Sequence, residues 1–120
     1  MHVRNPASIK PIISPHGEIV CELMGAAAGG TRQHSLALIT LPAGKQSLRH
    51  YHPQAEESYT LLAGNARLTL NDEVVNLAPG DSVAVPAGCV HQIANAGDDD
   101  LVFLAVCVPP WTPECSVFVD

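Results

Sequence analysis

This chain predicts an all-β domain, an antiparallel sandwich or barrel. Three observations carry that expectation: many short, alternating apolar stretches, punctuation between them by Gly, Pro, Asn and Asp, and scarce helical periodicity from end to end. A length of 120 residues suffices for one hydrophobic core and leaves little for a second. Apolar residues make up 47%, mostly Ala, Val and Leu with few aromatics, so the predicted core is aliphatic. We read a single domain over 1–120, with 1–30 as N-terminal arm and strand, 31–108 as barrel core and 109–120 as C-terminal extension.

The elements follow in order. The arm carries Pro6, Pro11 and Pro15, a short apolar run from Glu18 to Met24, and a glycine-rich stretch, Gly25 to Gly30, expected to be flexible. Arg32 to Leu41 alternates around Leu36 and Leu38 and stops at Pro42-Ala43-Gly44. Strands are then predicted over Gln46–Tyr51, Ser58–Leu62, Ala66–Leu70, Val74–Leu77, Ser82–Val85, His91–Ala94 and Leu101–Val108, with a turn at Asn71-Asp72. Asp98-Asp99-Asp100 reads as a solvated turn. The three prolines between Pro109 and Pro113 predict extended chain rather than helix. Beyond them, Ser116 to Val119 is a candidate edge strand for this barrel or a partner's.

Composition also excludes. Twelve acidic residues against six basic ones give a net charge of -6 without a Lys/Arg cluster, which argues against nucleic acid or an anionic membrane as partner. No apolar run is long enough for a membrane helix, and Met1-His2-Val3-Arg4-Asn5-Pro6 is not a secretory start, so a cytoplasmic protein is expected. Cys21, Cys89, Cys107 and Cys115 lack C-x-x-C spacing and are expected to be free thiols in a reducing compartment.

Two histidine-centred segments carry the chemistry. His50 and His52 lie two apart between Gly44 and Pro53, so on a strand both imidazoles point to one face. Glu57 follows the break at Pro53-Gln54-Ala55. It is preferred over Glu56, which alternation sends to the opposite face. His91 follows the turn Pro86-Ala87-Gly88 and is aimed by the next strand into the same space. Three neutral imidazoles and one carboxylate suit a divalent Mn, Fe, Co, Ni, Cu or Zn ion better than Ca or Mg. Four protein ligands leave positions for water, dioxygen or a bidentate substrate.

These segments resemble the cupin family. Gly44, His50, His52, Glu57 and Gly64 fit its pattern G-x5-H-x-H-x4-E-x6-G, and Gly80, Pro86, Gly88, His91 and Asn95 fit G-x5-P-x-G-x2-H-x3-N without a departure. The resemblance spans residues 34 to 108, with the short gap between motifs of small bacterial single-domain cupins. It implies an antiparallel double-stranded β-helix, the jelly-roll barrel, holding one divalent transition metal per chain on His50, His52, Glu57 and His91. The implied chemistry is of dioxygenase, isomerase or lyase type on a small oxygenated or carboxylated molecule. A non-catalytic small-ligand binder or sensor is the alternative. The resemblance also implies a homodimer, since short barrels leave sheet edges to be covered.

Other residues are assigned by parity. Tyr59, two after Glu57, should face the cavity as a hydrogen-bond donor or acid/base, or as an aromatic wall. Gln46 shares the parity of His50 and His52, His34 lies on a strand expected to line the pocket, and Arg67 is either a partner for a substrate carboxylate or an exposed strand arginine. Cys89 shares the face of His91 if the strand is already regular there; otherwise it is a small buried hydrophobe. Gly44, Gly64, Gly80 and Gly88 are read as turn residues and Asn95 as a turn hydrogen-bonder. His2 and His16 are read as uninvolved.

Overall fold

The computed structural model describes residues 1–119. Its strands are β1 (Ile12–Ile13), β2 (Ile19–Met24), β3 (Ser35–Leu41), β4 (His50–Tyr51), β5 (Glu56–Ala63), β6 (Ala66–Leu70), β7 (Glu73–Leu77), β8 (Ser82–Val85), β9 (His91–Asn95), β10 (Leu101–Val108) and β11 (Val117–Phe118). They form a six-stranded sheet, β1-β2-β3-β10-β5-β8, facing a five-stranded one, β11-β4-β9-β6-β7. All strand pairings are antiparallel, giving the jelly-roll of a double-stranded β-helix. No helix among the described residues is long and apolar enough to cross a membrane.

Alternation builds the core. Along β10, Leu101, Phe103, Ala105 and Cys107 are buried while the residues between them are half-buried, and on β5 Glu57, Tyr59 and Leu61 turn inward. Leu68 on β6 and Ile93 on β9 meet them from the other sheet. Full burial of such a side chain stabilises by about 1.5–3 kcal/mol. Register then stacks these residues in rows across the six-stranded sheet. One row is Ser35, Cys107, Glu57 and Val85; the next is Glu22, Ala37, Ala105, Tyr59 and Val83.

Turn chemistry sets the connections. Asn71 takes φ 49° in the two-residue loop joining Leu70 to Glu73, where a left-handed conformation matches the strand twist. Gly64 has φ 83°, and a Cβ there would lie 2.6 Å from the Asp100 carbonyl oxygen, so this turn requires glycine twice over. Asn95 donates through Nδ2 to the Leu41 and Asp99 carbonyls, both at 2.8 Å, tying the start of the exposed Asp98–Asp100 loop to β3.

Three local expectations are corrected. Gly25 to Gly30 is a closed turn, not a loose linker: Gly25 and Gly29 exchange backbone hydrogen bonds of 3.0 and 2.7 Å. The strand expected in the arm is present as β2, which with β1 joins the six-stranded sheet. Pro113–Cys115 forms a 3-10 turn where extended chain was predicted, because proline is tolerated at a first helical position. The predicted strand from Gln46 shrinks to His50–Tyr51, preceded by an isolated bridge between Gln46 and Ala94. The candidate edge strand forms as β11 and pairs with β4 of its own chain.

Candidate metal centre

Both sheets feed one point between them. His50 on β4 lies opposite His91 on β9, and His52 follows directly where the chain turns at Pro53. Glu57 arrives from β5 of the facing sheet. Glu56 points outward and is exposed, as alternation requires. The imidazole centroids lie 4.2 Å (His50–His91), 5.1 Å (His50–His52) and 5.4 Å (His52–His91) apart. Glu57 Oε1 is 3.4 Å from His52 Nε2 and 3.3 Å from His91 Nε2.

The chain sets the tautomers. Nδ1 of His50, His52 and His91 donates to the carbonyls of Leu48 (2.8 Å), Cys115 (3.1 Å) and Cys89 (2.9 Å). With the proton on Nδ1, each Nε2 presents a lone pair inward, the arrangement by which proteins orient metal-binding histidines. His52 Nε2, His91 Nε2 and Glu57 Oε1 are buried and have no hydrogen-bond partner. Two donors at about 2.1 Å from one ion and about 90° apart sit roughly 3 Å from each other. The observed spacing therefore fits adjacent corners of one coordination sphere, and the donor set fits a divalent first-row ion.

Electrostatics agree with this arrangement. Burial pushes the Glu57 carboxyl up, but His52 and His91 outweigh it and hold the group well below the carboxylate range. Burial lowers His50 to about 4, aided by His91, so its ring is neutral at physiological pH. For His52, burial acts downward, yet the adjacent Glu57 leaves it raised. Tyr59, the neighbour of Glu57 in the next row, is driven upward by burial and then by the Glu57 charge.

Tyr59 is buried in the wall of the cavity above this cluster, with its ring 6.2 Å from His91 and 5.0 Å from Phe103. The cavity has a volume of about 290 Å³, and its walls include Ile39, Leu41, Phe103, Trp111 and Phe118. His16, read as uninvolved, lines its rim.

Four other sequence candidates are not brought to the cavity. Gln46 is exposed, because the irregular stretch before β4 breaks the parity that linked it to His50; Ser47 turns inward instead and accepts from the Ile93 amide at 3.0 Å. His34 lies just before β3, half-buried and outside the cavity lining. Arg67 is exposed on the outer face of β6, opposite the buried Ala66 and Leu68. Cys89 packs against the core and contributes its carbonyl to His91 rather than a thiol to the cavity.

The residue that sequence reasoning missed is Cys107. Its buried thiol donates to Glu57 Oε2 at 3.3 Å, leaving Oε1 toward the histidines, and burial followed by the Glu57 charge pushes its pKa up and keeps it a donor. Its only sequence signal is that it shares the inward parity of Phe103 and Ala105. All four cysteines are free thiols.

Comparison with known proteins places this geometry. Residues 37–107 match the Cupin_2 profile, a cupin domain. An uncharacterized protein of Methanocaldococcus jannaschii is 34% identical over 112 residues, covering 93% of this chain and 90% of its own. The crystal structure of a predicted oxalate decarboxylase from Thermotoga maritima superposes with TM-score 0.81 at 28% identity, covering 91% of this chain and 99% of that one. A sugar phosphate isomerase of the cupin superfamily from Silicibacter pomeroyi superposes with TM-score 0.78 at 30% identity, over 97% and 80% of the two chains. Matched over most of its length, with the histidine and glutamate donors converging between two antiparallel sheets, the chain belongs to the cupin family.

Proposed function

We propose that this cupin is a metal-dependent enzyme acting on a small carboxylate. In this reading His50, His52, Glu57 and His91 hold one divalent transition metal, and Tyr59 donates a hydrogen bond or proton to the bound substrate. The observation that carries it is the trio of buried, partnerless donor atoms, His52 Nε2, His91 Nε2 and Glu57 Oε1. Leaving such atoms unsatisfied costs about 1–3 kcal/mol each, and an ion between them removes that cost. Bound there, the metal would supply Lewis-acid polarisation of a substrate oxygen.

The chain's own groups define what can bind. Three neutral imidazoles and one carboxylate around a divalent ion leave about one positive charge, which favours an anionic ligand. No lysine or arginine is among the described residues lining the cavity, so the metal end is its main anchor for an anion. That favours a small carboxylate, as in the name of the Thermotoga relative, over a sugar phosphate, whose phosphate needs its own cationic partner. The apolar walls exclude water from the reacting centre. The exposed edge strand β1, with Ile12 and Ile13, supports the accompanying reading of a homodimer, which light scattering at micromolar concentration tests; a monomer contradicts it.

The experiment is a screen of small carboxylates, enediols and sugars against the Fe(II), Mn(II), Ni(II) and Zn(II) forms, repeated with Tyr59→Phe. Tyr59→Phe should keep metal and ligand while turnover falls about 100-fold. A non-catalytic binder is the second reading, favoured by a wall with so few acid/base groups near the metal. It prevails if every metal form binds a ligand from the screen and none turns it over.

A further inference from the structure

We propose that the cavity is built for a carboxylate carrying a hydrogen-bond donor, an amine or hydroxyl, at its far end, and that Glu22 receives that donor. The inference rests on the reading above, in which the metal end anchors a carboxylate. It adds the other end of the ligand.

The cavity's shape comes from one row of the sheet. Glu22, Ala37, Ala105 and Tyr59 stand side by side on β2, β3, β10 and β5, and all four line the cavity. The two central residues are alanines, so the space above them stays open while longer side chains bound it at both ends. A ligand held beside Tyr59 and Glu57 therefore extends over Ala105 and Ala37 toward Glu22.

At that far end Glu22 is the carboxylate left without a side-chain or main-chain donor, with the exposed His16 at the rim. Ser14 hydrogen-bonds Glu18, Ser35 accepts from the Trp111 amide, Ser47 accepts from the Ile93 amide, and Ser116 stands 3.4 Å from His52 Nδ1. Glu22 Oε1 is buried with no hydrogen-bond partner, and Glu22 forms no ion pair among the described residues. Arg4 donates through Nη2 to the Glu22 main-chain carbonyl at 3.0 Å and not to its carboxylate. Oε1 is packed under the Gly25 turn, 2.6 Å from where a Cβ on Gly25 would lie, so the ligand's amine or hydroxyl is received by Oε2, the oxygen that is neither buried nor bonded.

Charge and length are consistent with this. About one positive charge at the metal end faces the carboxylates of Glu22 and of the serine-bonded Glu18, the mirror of a molecule with carboxylate and ammonium ends. Tyr59 and Glu22 are three strand spacings apart, roughly 14 Å between backbones. Two side chains and a metal–oxygen contact take up about half of that, leaving a ligand chain of about four to six heavy atoms.

The test uses the Co(II)-loaded protein with butanoate, γ-hydroxybutanoate and γ-aminobutanoate, reading the Co(II) absorption for the carboxylate end and calorimetry for affinity. Wild type should bind the two donor-bearing acids about 10-fold or more tightly than butanoate. Glu22→Leu should erase that preference. Glu22→Gln, which keeps an acceptor of the same shape, should keep the preference for the hydroxyl and lose that for the ammonium. Equal affinity ratios in wild type and Glu22→Leu overturn the proposal while leaving the carboxylate anchor intact. If none of the three acids perturbs the Co(II) spectrum, the anchor itself fails and this proposal with it.

Discussion

Replacing Cys107 by valine removes a hydrogen bond without changing the core's volume by much, which makes it a clean probe of how Glu57 is aimed. The thiol donates to Glu57 Oε2 at 3.3 Å, both residues are buried, and Oε1 is thereby left to face His52 and His91. A thiol is a weak donor, but its acceptor is an ionised carboxylate, so the bond is worth about 1 kcal/mol. Without it the carboxylate can rotate and Oε2 is buried unsatisfied. Partners of this kind, one step removed from the metal, typically matter 10- to 100-fold in metal affinity. The weak donor puts Cys107→Val at the lower end, about a 10-fold rise in Kd, or about 1.4 kcal/mol. The metal-free variant should also melt about 5 °C lower. Competition against a chromophoric chelator measures the first and calorimetry the second. Cys107→Ser, which keeps a donor, should recover most of the affinity. If valine, serine and wild type bind metal within twofold of one another, the thiol does not position Glu57 and the reasoning fails.

Other outcomes follow from the same geometry. Wild-type protein should carry close to one transition-metal ion per chain, and His50→Ala/His52→Ala close to none; equal metal in both by elemental analysis defeats the ligand assignment. Proton competition should be uneven: His50 is lowered to about 4 and His52 is raised above 6.5, so acidification from neutral pH protonates His52 well before His50, and metal affinity falls as it does. An NMR titration of the metal-free protein checks this, and a His50 midpoint near 6.5 contradicts it. In that form the depressed Glu57 stabilises the fold above its ordinary value of 4.5, a contribution lost as pH falls through the lower folded value. The raised His52 acts oppositely, stabilising below 6.5 and losing its effect as pH rises through the folded value. Gly64→Ala should destabilise by about 2–3 kcal/mol, from left-handed strain plus the clash with Asp100, whereas Gly44→Ala, at φ 80° with nothing within 4 Å, should cost only the strain of about 1 kcal/mol. Thermal melts of both that show equal losses refute the role given to close approach.

What the sequence determined by itself was local in origin. A spacing of two puts His50 and His52 on one face, proline and glycine turns announce where strands begin, and alternation separates Glu57 from Glu56. The two motifs carried the family for the same reason, since each is a single stretch of chain whose turn residues and donors come together. Parity failed where it was extended across a break: Gln46 lies beyond the irregular residues before β4, so its side chain faces solvent although its number matches His50. Only the tertiary structure decided the rest. Cys107 reaches Glu57 because β10 pairs with β5 in one register, fifty positions away in the chain. The carbonyl that orients His52 comes from Cys115, and the two alanines that open the cavity matter only because register sets Glu22 and Tyr59 on either side of them. Such contacts leave no spacing to read, because the distance between their partners is set by sheet order and strand register rather than by the length of chain that joins them.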